Sequence, residues 1–280
     1  MYFAGVDIGS TMTKVVIMDE VVLASVIGPT GAEHRRLANK VMEEALERAN
    51  LSFDDLSYIV ATGYGRINVP FADKQITEIT CHAKGVLSLF PSVRIAIDIG
   101  GQDAKGIKIS KGRVIDFVMN DKCAAGTGRF LEVIADSLGL KLEEMGELSL
   151  KSTTKVKISS TCTVFAEQEV VSRIAEGSQI EDILAGLHDA IASRVYRMAG
   201  KLKIEPDVVL TGGVAKNIGV VKAMEEYVGF PVLVPEEPLL TGAIGAALLG
   251  KELTLKALES GKPIQRGIRR LEEATFFKQG

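Results

Sequence analysis

One internal repeat constrains the fold of this chain more than any other feature. The segment DIGSTMTKVVIM begins at Asp7, and the similar segment DIGGQDAKGIKI begins at Asp98. Each follows a short apolar run and leads into two further strand-like runs, the last near 21–27 in one copy and 113–119 in the other. A unit of strand, tight turn, strand, turn and strand that occurs twice predicts a duplicated α/β fold with two lobes. Three residue types recur at matching positions: Asp7 and Asp98, Gly9 and Gly100, and Lys14 and Lys105.

The Asp-Gly turn of each copy suits contact with phosphate. Glycine beside a small polar residue lets backbone N–H groups approach an anion closely. Asp7 and Asp98 stand at strand ends, where carboxylates commonly hold Mg²⁺ through water. A single DIG segment would be read as a hairpin turn, but its duplication with a matching lysine favours a phosphate site.

A third glycine site follows another apolar strand. In DVVLTGGVAKN, Gly212 and Gly213 separate a strand from a helix. Such a junction favours a nucleotide lying against the backbone, although many α/β loops carry the same glycine pair. The sequence contains no G-x-x-x-x-G-K-[ST] segment, which excludes a P-loop protein.

The composition narrows the class of protein further. The 280 residues are 46% hydrophobic and 25% charged, enough for a large core in two lobes. The net charge of −3 comes from interspersed acidic and basic residues, with no basic stripe for nucleic acid and no basic amphipathic face for a membrane surface. No apolar run approaches the ~20 residues of a membrane span, and the N-terminus does not read as a signal peptide. With three cysteines, we expect no disulfide framework and a cytoplasmic location.

The order of these segments resembles the actin, heat-shock-70 and sugar-kinase superfamily. DIGS, DIGG and LTGG are followed by a glycine- and alanine-rich helix, TGAIGAALLG, so the resemblance extends to about Leu249. It implies an α/β fold of duplicated ribonuclease-H-like lobes with mixed sheets and a cleft for ATP and Mg²⁺. We expect the first lobe to contain 1–91 and 241–280, including a C-terminal extension, and the second to contain 92–240.

The same resemblance implies roles for residues near the three glycine sites. Asp7 and Asp98 are implied to be catalytic at the metal, and Gln102 is a candidate to orient the attacking water. Lys14 joins the nucleotide-binding residues. Gly9, Ser10 and Thr11 are implied to meet one phosphate group. Gly100, Gly101 and Gln102 are implied to meet another phosphate group. Gly212, Gly213 and Lys216 are implied to lie by the adenosine.

Two of the three cysteines stand before helical segments. Cys123, in NDKCAAGTGRF, precedes a helical run at 128–138, and Cys162, in STCTVFAEQEV, precedes one at 164–175. We therefore predict both at or just before a helix N-terminus, where N–H groups and the helix dipole favour a thiolate and an anionic iron–sulfur cluster. Cys81 lies inside a predicted helix and is expected to be a small buried thiol.

The number of cysteines leaves two alternatives open. A [4Fe–4S] cluster takes four thiolates, often from C-x-x-C segments, and this chain has no such segment. Two ligands from each chain of a two-fold dimer would complete one cluster. Spacing alone favours the other alternative, which is a pair of ordinary free cysteines.

Five segments together resemble the activator component of 2-hydroxyacyl-CoA dehydratases, the BadF/BadG/BcrA/BcrD ATPase family: ATGYGR, DIGGQD, NDKCAAGTGRF, STCTVFAEQEV and LTGGVAKN. The resemblance implies a homodimer with one [4Fe–4S] cluster at the subunit interface, held by Cys123 and Cys162 of each chain. It implies that ATP hydrolysis to ADP sends a low-potential electron, received from reduced ferredoxin or flavodoxin, to a partner iron–sulfur enzyme. That partner is an (R)-2-hydroxyacyl-CoA dehydratase or, in the aromatic branch, benzoyl-CoA reductase. The C-terminal extension is the main departure from the family.

Three other functions compete with this one. A small-molecule kinase shares the lobes, but it gives the cysteines no role and usually needs a longer chain for its sugar pocket. A heat-shock-70-type chaperone requires an added peptide-binding domain, and none is present. An electron-transfer protein that serves another client, such as a double-cubane cluster protein, is consistent with the sequence.

Three local predictions concern the course of the chain. The turn at 62–66 is predicted to connect the lobes. Residues 179–203 are predicted to form a long amphipathic helix in which His188 is packed or exposed rather than a metal ligand. The charged tail from Lys251 either adds a helix against the body or is partly disordered.

Overall fold

The computed structural model of the protein describes residues 1–31, 33–120, 123–158 and 162–269. The chain divides into two compact units, Met1–Pro91 with Leu239–Gly280, and Ser92–Pro238. Among the described residues, no helix is long and apolar enough to cross a membrane.

The predicted apolar runs form strands, and the predicted helical runs form helices. The strands are, in chain order, β1 (Tyr2–Ile8), β2 (Met12–Met18), β3 (Val22–Pro29), β4 (Leu56–Thr62), β5 (Lys74–Gln75), β6 (Ile95–Ile99), β7 (Ala104–Ser110), β8 (Arg113–Asn120) and β9 (Val208–Thr211). The helices are α1 (His34–Ala49), α2 (Glu78–Leu89), α3 (Gly128–Leu138), α4 (Glu144–Ser149), α5 (Thr163–Ala175), α6 (Ile180–Ala199), α7 (Ile218–Val228) and α8 (Thr241–Glu259).

The two units contain sheets with equivalent strand orders. The first sheet has the order β3-β2-β1-β4-β5, and the second has the order β8-β7-β6-β9. In each sheet, three sequential strands are antiparallel and a later strand pairs in parallel with the first of them. The predicted duplicated α/β fold with mixed sheets is therefore confirmed. Asp7 and Asp98 occupy equivalent positions, each next to the last residue of the strand at the centre of its repeat.

Helices of the first unit cover both faces of its sheet. The apolar stripe of α1 packs on one face, and α8 packs on the other. Glycines bring α8 very close to its neighbours: a Cβ at Gly5 would lie 1.9 Å from the carbonyl oxygen of Ala243, and a Cβ at Gly245 would lie 1.8 Å from that of Cys81. The backbones of β1, α2 and α8 are therefore in direct contact, which only glycine permits at these two positions.

The core of the second unit contains a buried, hydrogen-bonded histidine. The side-chain oxygen of Asn217 caps α7 by accepting from two backbone N–H groups, so its Nδ2 donates to Nε2 of His188 at 3.1 Å. The imidazole proton then lies on Nδ1, which donates to Ser149 Oγ at 2.9 Å. Burial lowers the pKa of His188 to about 4. The predicted helix with a packed histidine is confirmed.

The structure corrects one prediction and extends another. The turn at 62–66 does not connect the lobes, because β4, β5 and α2 all belong to the first unit and the chain crosses at 91–92. After α8, residues 262–269 pack on the same unit, where Arg269 donates to both carboxylate oxygens of Asp73 at 2.6 and 2.7 Å. The remainder of the predicted C-terminal extension, 270–280, lies outside the described residues.

Candidate functional site

The first aspartate loop contains a buried ion pair across two strands. Asp7 on β1 lies directly opposite Lys14 on β2, and the lysine Nζ lies 3.1 Å from Asp7 Oδ2. Both side chains are largely buried. The loop that joins the strands is closed by a hydrogen bond from the N–H of Gly9 to the carbonyl of Met12, 3.0 Å long. The three residues predicted to meet a phosphate, Gly9, Ser10 and Thr11, are half-exposed in this loop.

The second aspartate loop repeats this arrangement with one addition. Asp98 on β6 lies opposite Lys105 on β7, and the lysine Nζ lies 3.5 Å from Asp98 Oδ2. The same Nζ lies 2.7 Å from the carboxylate of Asp103. Alignment of the two repeats does not identify Asp103, because the first repeat has Met12 at the equivalent position. The N–H of Gly100 closes the loop by donating to the carbonyl of Asp103 at 2.9 Å. Gln102, at the tip, is exposed.

The repeat extends to a Thr-Gly pair that sequence reasoning did not align. Thr62 on β4 pairs with Asp7, and Thr211 on β9 pairs with Asp98. The glycine after each threonine has a φ of +84°, a conformation that favours glycine. A Cβ at Gly63 would lie 2.4 Å from Asp7 Oδ1, and one at Gly212 would lie 2.7 Å from Asp98 Oδ1. Each carboxylate thus lies against a glycine at a position where any side chain would clash with it.

The predicted third glycine site therefore lies beside the second aspartate loop. Gly212 directly follows β9 and lies next to Asp98, and Gly213 begins a single 3₁₀ turn that ends at Lys216. The Lys216 ammonium is exposed and lies 2.7 Å from the carboxylate of Glu237. The signal that could have linked this site to the first unit was the Thr-Gly that ends an apolar strand in both ATGYG and LTGGV.

A histidine that the sequence did not single out lies next to Asp7. His82 on α2 is buried, and its Nδ1 lies 3.0 Å from Thr241 Oγ1 at the start of α8. A Cβ at Gly242 would lie 2.8 Å from Asp7 Oδ2 and 3.1 Å from His82 Nε2. The N-terminus of α8 therefore faces the buried carboxylate, and its dipole stabilises the negative charge there.

The aspartate loops are compatible with a magnesium–phosphate ligand. Oxygen ligands from carboxylates suit Mg²⁺, which usually keeps several waters and binds through one or two carboxylates with phosphate. The described residues contain no group of three or more His, Cys, Asp or Glu side chains that could hold a metal ion alone. In its own unit, each aspartate offers one buried carboxylate, which suits a hydrated Mg²⁺ bound with phosphate better than a metal cage made only of protein.

The three cysteines have different environments. Cys81 is fully buried on α2, and burial raises the pKa of its thiol to about 12, so the prediction of a buried thiol is confirmed. Cys162 is exposed and is the N-cap residue of α5, as predicted. Cys123 is half-buried, and the N-cap of α3 is Thr127 rather than Cys123 or its neighbour. The helix that follows Cys123 begins at Gly128, as predicted, and residues 124–127 separate the cysteine from it.

The first N–H groups of α3 are directed to the second aspartate loop. The N–H of Gly128 donates to the carbonyl of Gly100, and the N–H of Arg129 donates to the carbonyl of Gly101, both at 2.8 Å. Helix N-termini normally leave such groups without a partner in the helix. Here they connect the candidate phosphate loop to the segment that contains Cys123.

Arg194 provides the positive charge at Cys123. Its Nη2 lies 3.5 Å from the Cys123 sulfur, while Asn120 Nδ2 donates to the Cys123 carbonyl at 3.1 Å. The helices that follow the two cysteines pack together, and Ser137 Oγ on α3 donates to Glu167 on α5 at 2.6 Å. A single chain therefore presents two accessible thiols beside adjoining helices, which fits half of a four-thiolate set.

Comparison with known proteins identifies relatives along almost the whole chain. The chain is 48% identical over 264 residues to the activator of lactoyl-CoA dehydratase from Anaerotignum propionicum, covering 91% of this chain and 100% of the relative. It is 45% identical over 273 residues to the 2-hydroxyisocaproyl-CoA dehydratase activator from Clostridioides difficile, covering 95% and 99%. A benzoyl-CoA reductase subunit from Thauera aromatica is 34% identical over 223 residues, covering 77% and 78%.

Solved structures agree with the fold described above. The activator of the 2-hydroxyisocaproyl-CoA dehydratase from Clostridium difficile with bound ADPNP superposes with a TM-score of 0.87 at 45% identity, covering 94% of this chain and 99% of that one. A ROK family glucokinase from Streptomyces griseus, in complex with glucose and AMPPNP, has a TM-score of 0.56 at 14% identity, covering 90% and 100%, which shows a shared fold alone. The expected similarity to the sugar-kinase fold is confirmed.

A family model decides the assignment. The model of the BadF/BadG/BcrA/BcrD ATPase family matches residues 4–250, which include both aspartate loops, Cys123, Cys162 and the Thr-Gly pairs. With this match and relatives above 40% identity, the chain belongs to the BadF/BadG/BcrA/BcrD ATPase family.

Proposed function

We propose that this protein is an ATP-hydrolysing activator that delivers a low-potential electron to a partner iron–sulfur enzyme, a 2-hydroxyacyl-CoA dehydratase. The activator works as a homodimer in the cytoplasm, and ferredoxin or flavodoxin reduces it. One observation carries the proposal: a candidate phosphate loop is hydrogen-bonded directly to the helix that follows Cys123, through Gly128 and Gly100. The names of the relatives, which are activators of such dehydratases, support the client.

The two aspartate loops are proposed to bind ATP and Mg²⁺. The buried carboxylates of Asp7 and Asp98 hold water molecules of the magnesium shell, while Lys14 and Lys105 compensate part of their charge. The backbone N–H groups and small side chains of the loops contact the phosphates, and the exposed amide of Gln102 orients the attacking water. The backbone at Gly212 and Gly213, with Lys216, lies by the adenosine. The roles of Gly9, Ser10, Thr11, Gly100 and Gly101 are proposed on the same basis.

Cys123 and Cys162 are proposed to hold one [4Fe–4S] cluster together with the same two cysteines of a second copy. When bound, such a cluster supplies one-electron transfer at a low potential set by its charge, hydrogen bonds and exposure. The exposure of Cys162 supports a shared site, because a ligand at the surface can be reached by a second chain. Val164 and Phe165, next to Cys162, are 59% and 61% exposed and would be covered in such a dimer.

The connection between α3 and the second aspartate loop explains how ATP can control the electron. A nucleotide shifts an equilibrium only if it binds two states with different affinity. Movement of Gly100 and Gly101 around a phosphate group pulls on the first two N–H groups of α3 and so displaces the segment of Cys123. The cysteine ligands then change their exposure to the partner enzyme, and loss of phosphate restores the first state.

The direct test is electron transfer to a client. The anaerobically purified protein, once reduced, is mixed with a 2-hydroxyacyl-CoA dehydratase, and oxidation of the activator is followed optically. We expect transfer with ATP and Mg²⁺, and none with ADP or without nucleotide. Transfer at the same rate without nucleotide, or purified protein that lacks iron, would contradict the proposal.

A second client class has support of its own. The similarity to a benzoyl-CoA reductase component suggests the same ATP-driven role toward an aromatic substrate. Double-cubane proteins are a third class of client. Parallel assays with each class of client distinguish them, whereas a small-molecule kinase would instead transfer phosphate to a hydroxyl group and be unaffected by substitution of Cys123 or Cys162.

A further inference from the structure

Arg194 is the residue of α6 whose side chain reaches Cys123. Its Nη2 lies 3.5 Å from the cysteine sulfur, within the range of an N–H···S hydrogen bond. Arg194 lies on a helix of twenty residues, and its neighbours Ile191 and Val195 are buried in the core of the second unit. The guanidinium is therefore presented to the sulfur by a rigid element.

The loop after Cys123 is shaped around this arginine. Gly126 has a φ of +89°, and a Cβ there would come within 3.0 Å of Arg194 Cδ. Because a side chain at this position would push against the arginine stem, glycine leaves the path to the sulfur open. Asn120 fixes the other side of the loop by donating to the carbonyl of Cys123 at 3.1 Å.

The arginine replaces a charge that the helix does not supply. Cys123 lies before the N-cap of α3, and the first two N–H groups of that helix donate to Gly100 and Gly101. The effect of a helix dipole falls off within the first turn. Arg194 therefore supplies the positive guanidinium that is hydrogen-bonded to the sulfur.

We propose that Arg194 is a positioning residue for Cys123 that also raises the reduction potential of the cluster. The inference rests on the proposed function, in which Cys123 is a ligand. Reduction adds one electron and hence one negative charge, and a cation hydrogen-bonded to a ligand sulfur stabilises the more negative state. Without Arg194 the sulfur loses its donor, and the reduced state becomes harder to reach.

Arg197 provides a matched control on the same helix. Arg194 and Arg197 both line a cavity of about 460 Å³ in the second unit, together with Lys155 and Lys157. Arg197 is exposed, and its Nε donates to the backbone carbonyl of Ser193 at 3.3 Å. Replacing either arginine with glutamine removes one positive charge from the cavity, but only one replacement removes the donor to Cys123.

The test is the reduction potential of the anaerobically purified holoprotein, measured by redox titration for wild type, Arg194→Gln, Arg194→Lys and Arg197→Gln. We expect Arg194→Gln to lower the reduction equilibrium constant at least tenfold, which is about 59 mV for a one-electron couple. Arg194→Lys should recover part of the shift, and Arg197→Gln should match wild type. Equal potentials for wild type and Arg194→Gln, or an equal shift in Arg197→Gln, would overturn the inference.

Iron content, thermal melting and ADP affinity distinguish a disturbed cysteine ligand from a disturbed fold. An Arg194→Gln protein that melts and binds ADP like wild type but loses iron supports the positioning role, because only the ligand has been disturbed. If that variant does not fold, Arg194→Met, which also lacks the charge and the donor, decides, and a wild-type potential in it contradicts the proposal. Wild-type protein without iron would overturn the proposed function and this inference with it, whereas iron-loaded wild type with an unshifted variant overturns the inference alone.

Discussion

The N–H of Gly128 donates to the carbonyl oxygen of Gly100 over 2.8 Å, and this bond joins the second aspartate loop to the first turn of α3. Along the chain the same two residues are separated by β7, β8 and the Cys123 segment. A displacement of the loop therefore reaches the cysteine segment both through the covalent chain and through two hydrogen bonds, this one and the bond from Arg129 to Gly101.

Asp98→Asn should reduce magnesium-dependent ATP hydrolysis by roughly 100-fold, the usual loss when one electrostatic group is removed from an active site. The fold and iron content should persist, because Lys105 keeps its bond to Asp103 at 2.7 Å. Phosphate release under saturating Mg²⁺ measures the effect. Asp116→Asn is the control, since Asp116 is exposed on β8 and only caps the N–H of Phe117. Wild-type turnover in Asp98→Asn would remove this residue from the catalytic set.

Cysteine replacements should separate ligands from a core thiol. The anaerobic wild-type protein should be a homodimer with about four irons per dimer, since two thiolates from each chain complete one cluster. Cys123→Ser and Cys162→Ser should lose the iron, and Cys81→Ser should keep it because Cys81 is buried in the first unit. Iron and sulfide assays with size-exclusion chromatography measure both quantities. Bleaching in Cys81→Ser with retention of colour in Cys162→Ser would show that the ligand set is wrong.

His188 should make the protein less stable in mild acid. Its pKa is about 4 in the folded protein and near 6.5 in the unfolded chain, so the unfolded state binds more protons between these values. The free energy of unfolding should therefore be fully present above pH 6.5 and fall as the pH drops toward 4, by on the order of 3 kcal/mol at most. Urea titrations of the apoprotein across this range measure the slope. His188→Gln should be less stable but have a flatter pH dependence, and an unchanged slope would assign the acid sensitivity to other groups.

The sequence was sufficient for the parts of the fold that depend on local patterns. Alternating or continuous apolar runs identified the strands, and the predicted run 128–138 matches α3. The match of Asp7 with Asp98 and of Lys14 with Lys105 predicted two equivalent sites, and the register places each pair opposite one another.

The parts that could not be predicted depend on long-range contacts. Arg194 lies on α6, far along the chain from Cys123, and nothing in the periodicity of that helix distinguishes it from Arg197. His82 likewise meets Thr241 only because glycines let α2 and α8 touch. The equivalence of Thr62-Gly63 and Thr211-Gly212 is different, because both pairs end apolar strands and the sequence already contained that signal.

One of the two hydrogen bonds that connect the loop to α3 can be removed without breaking the helix. Proline is tolerated at the first position of a helix, where its missing N–H has no helical partner. Proline requires an extended conformation of the residue before it, and Thr127 has one, with φ −131° and ψ 172°. Gly128→Pro therefore removes the donor to Gly100 and is compatible with α3, while its ring displaces the Gly100 carbonyl and the bond from Arg129 to Gly101 remains. Gly128→Ala is the matched control, because it keeps the N–H and adds a Cβ 3.3 Å from the Gly100 carbonyl oxygen, a contact that is tight but can relax.

The most direct measurement of ATP control is the rate at which an iron chelator strips the reduced protein with ADP, with a non-hydrolysable ATP analogue and without nucleotide. Coupling of ~1–3 kcal/mol between two sites corresponds to rate or affinity differences of about 5-fold or more. We expect wild type and Gly128→Ala to show clearly different stripping rates in the three states, and Gly128→Pro to bind nucleotide while its three rates lie closer together. Identical rates for the wild-type protein in all three states would contradict ATP-gated electron delivery, and the protein would then be an electron carrier that binds ATP for another purpose.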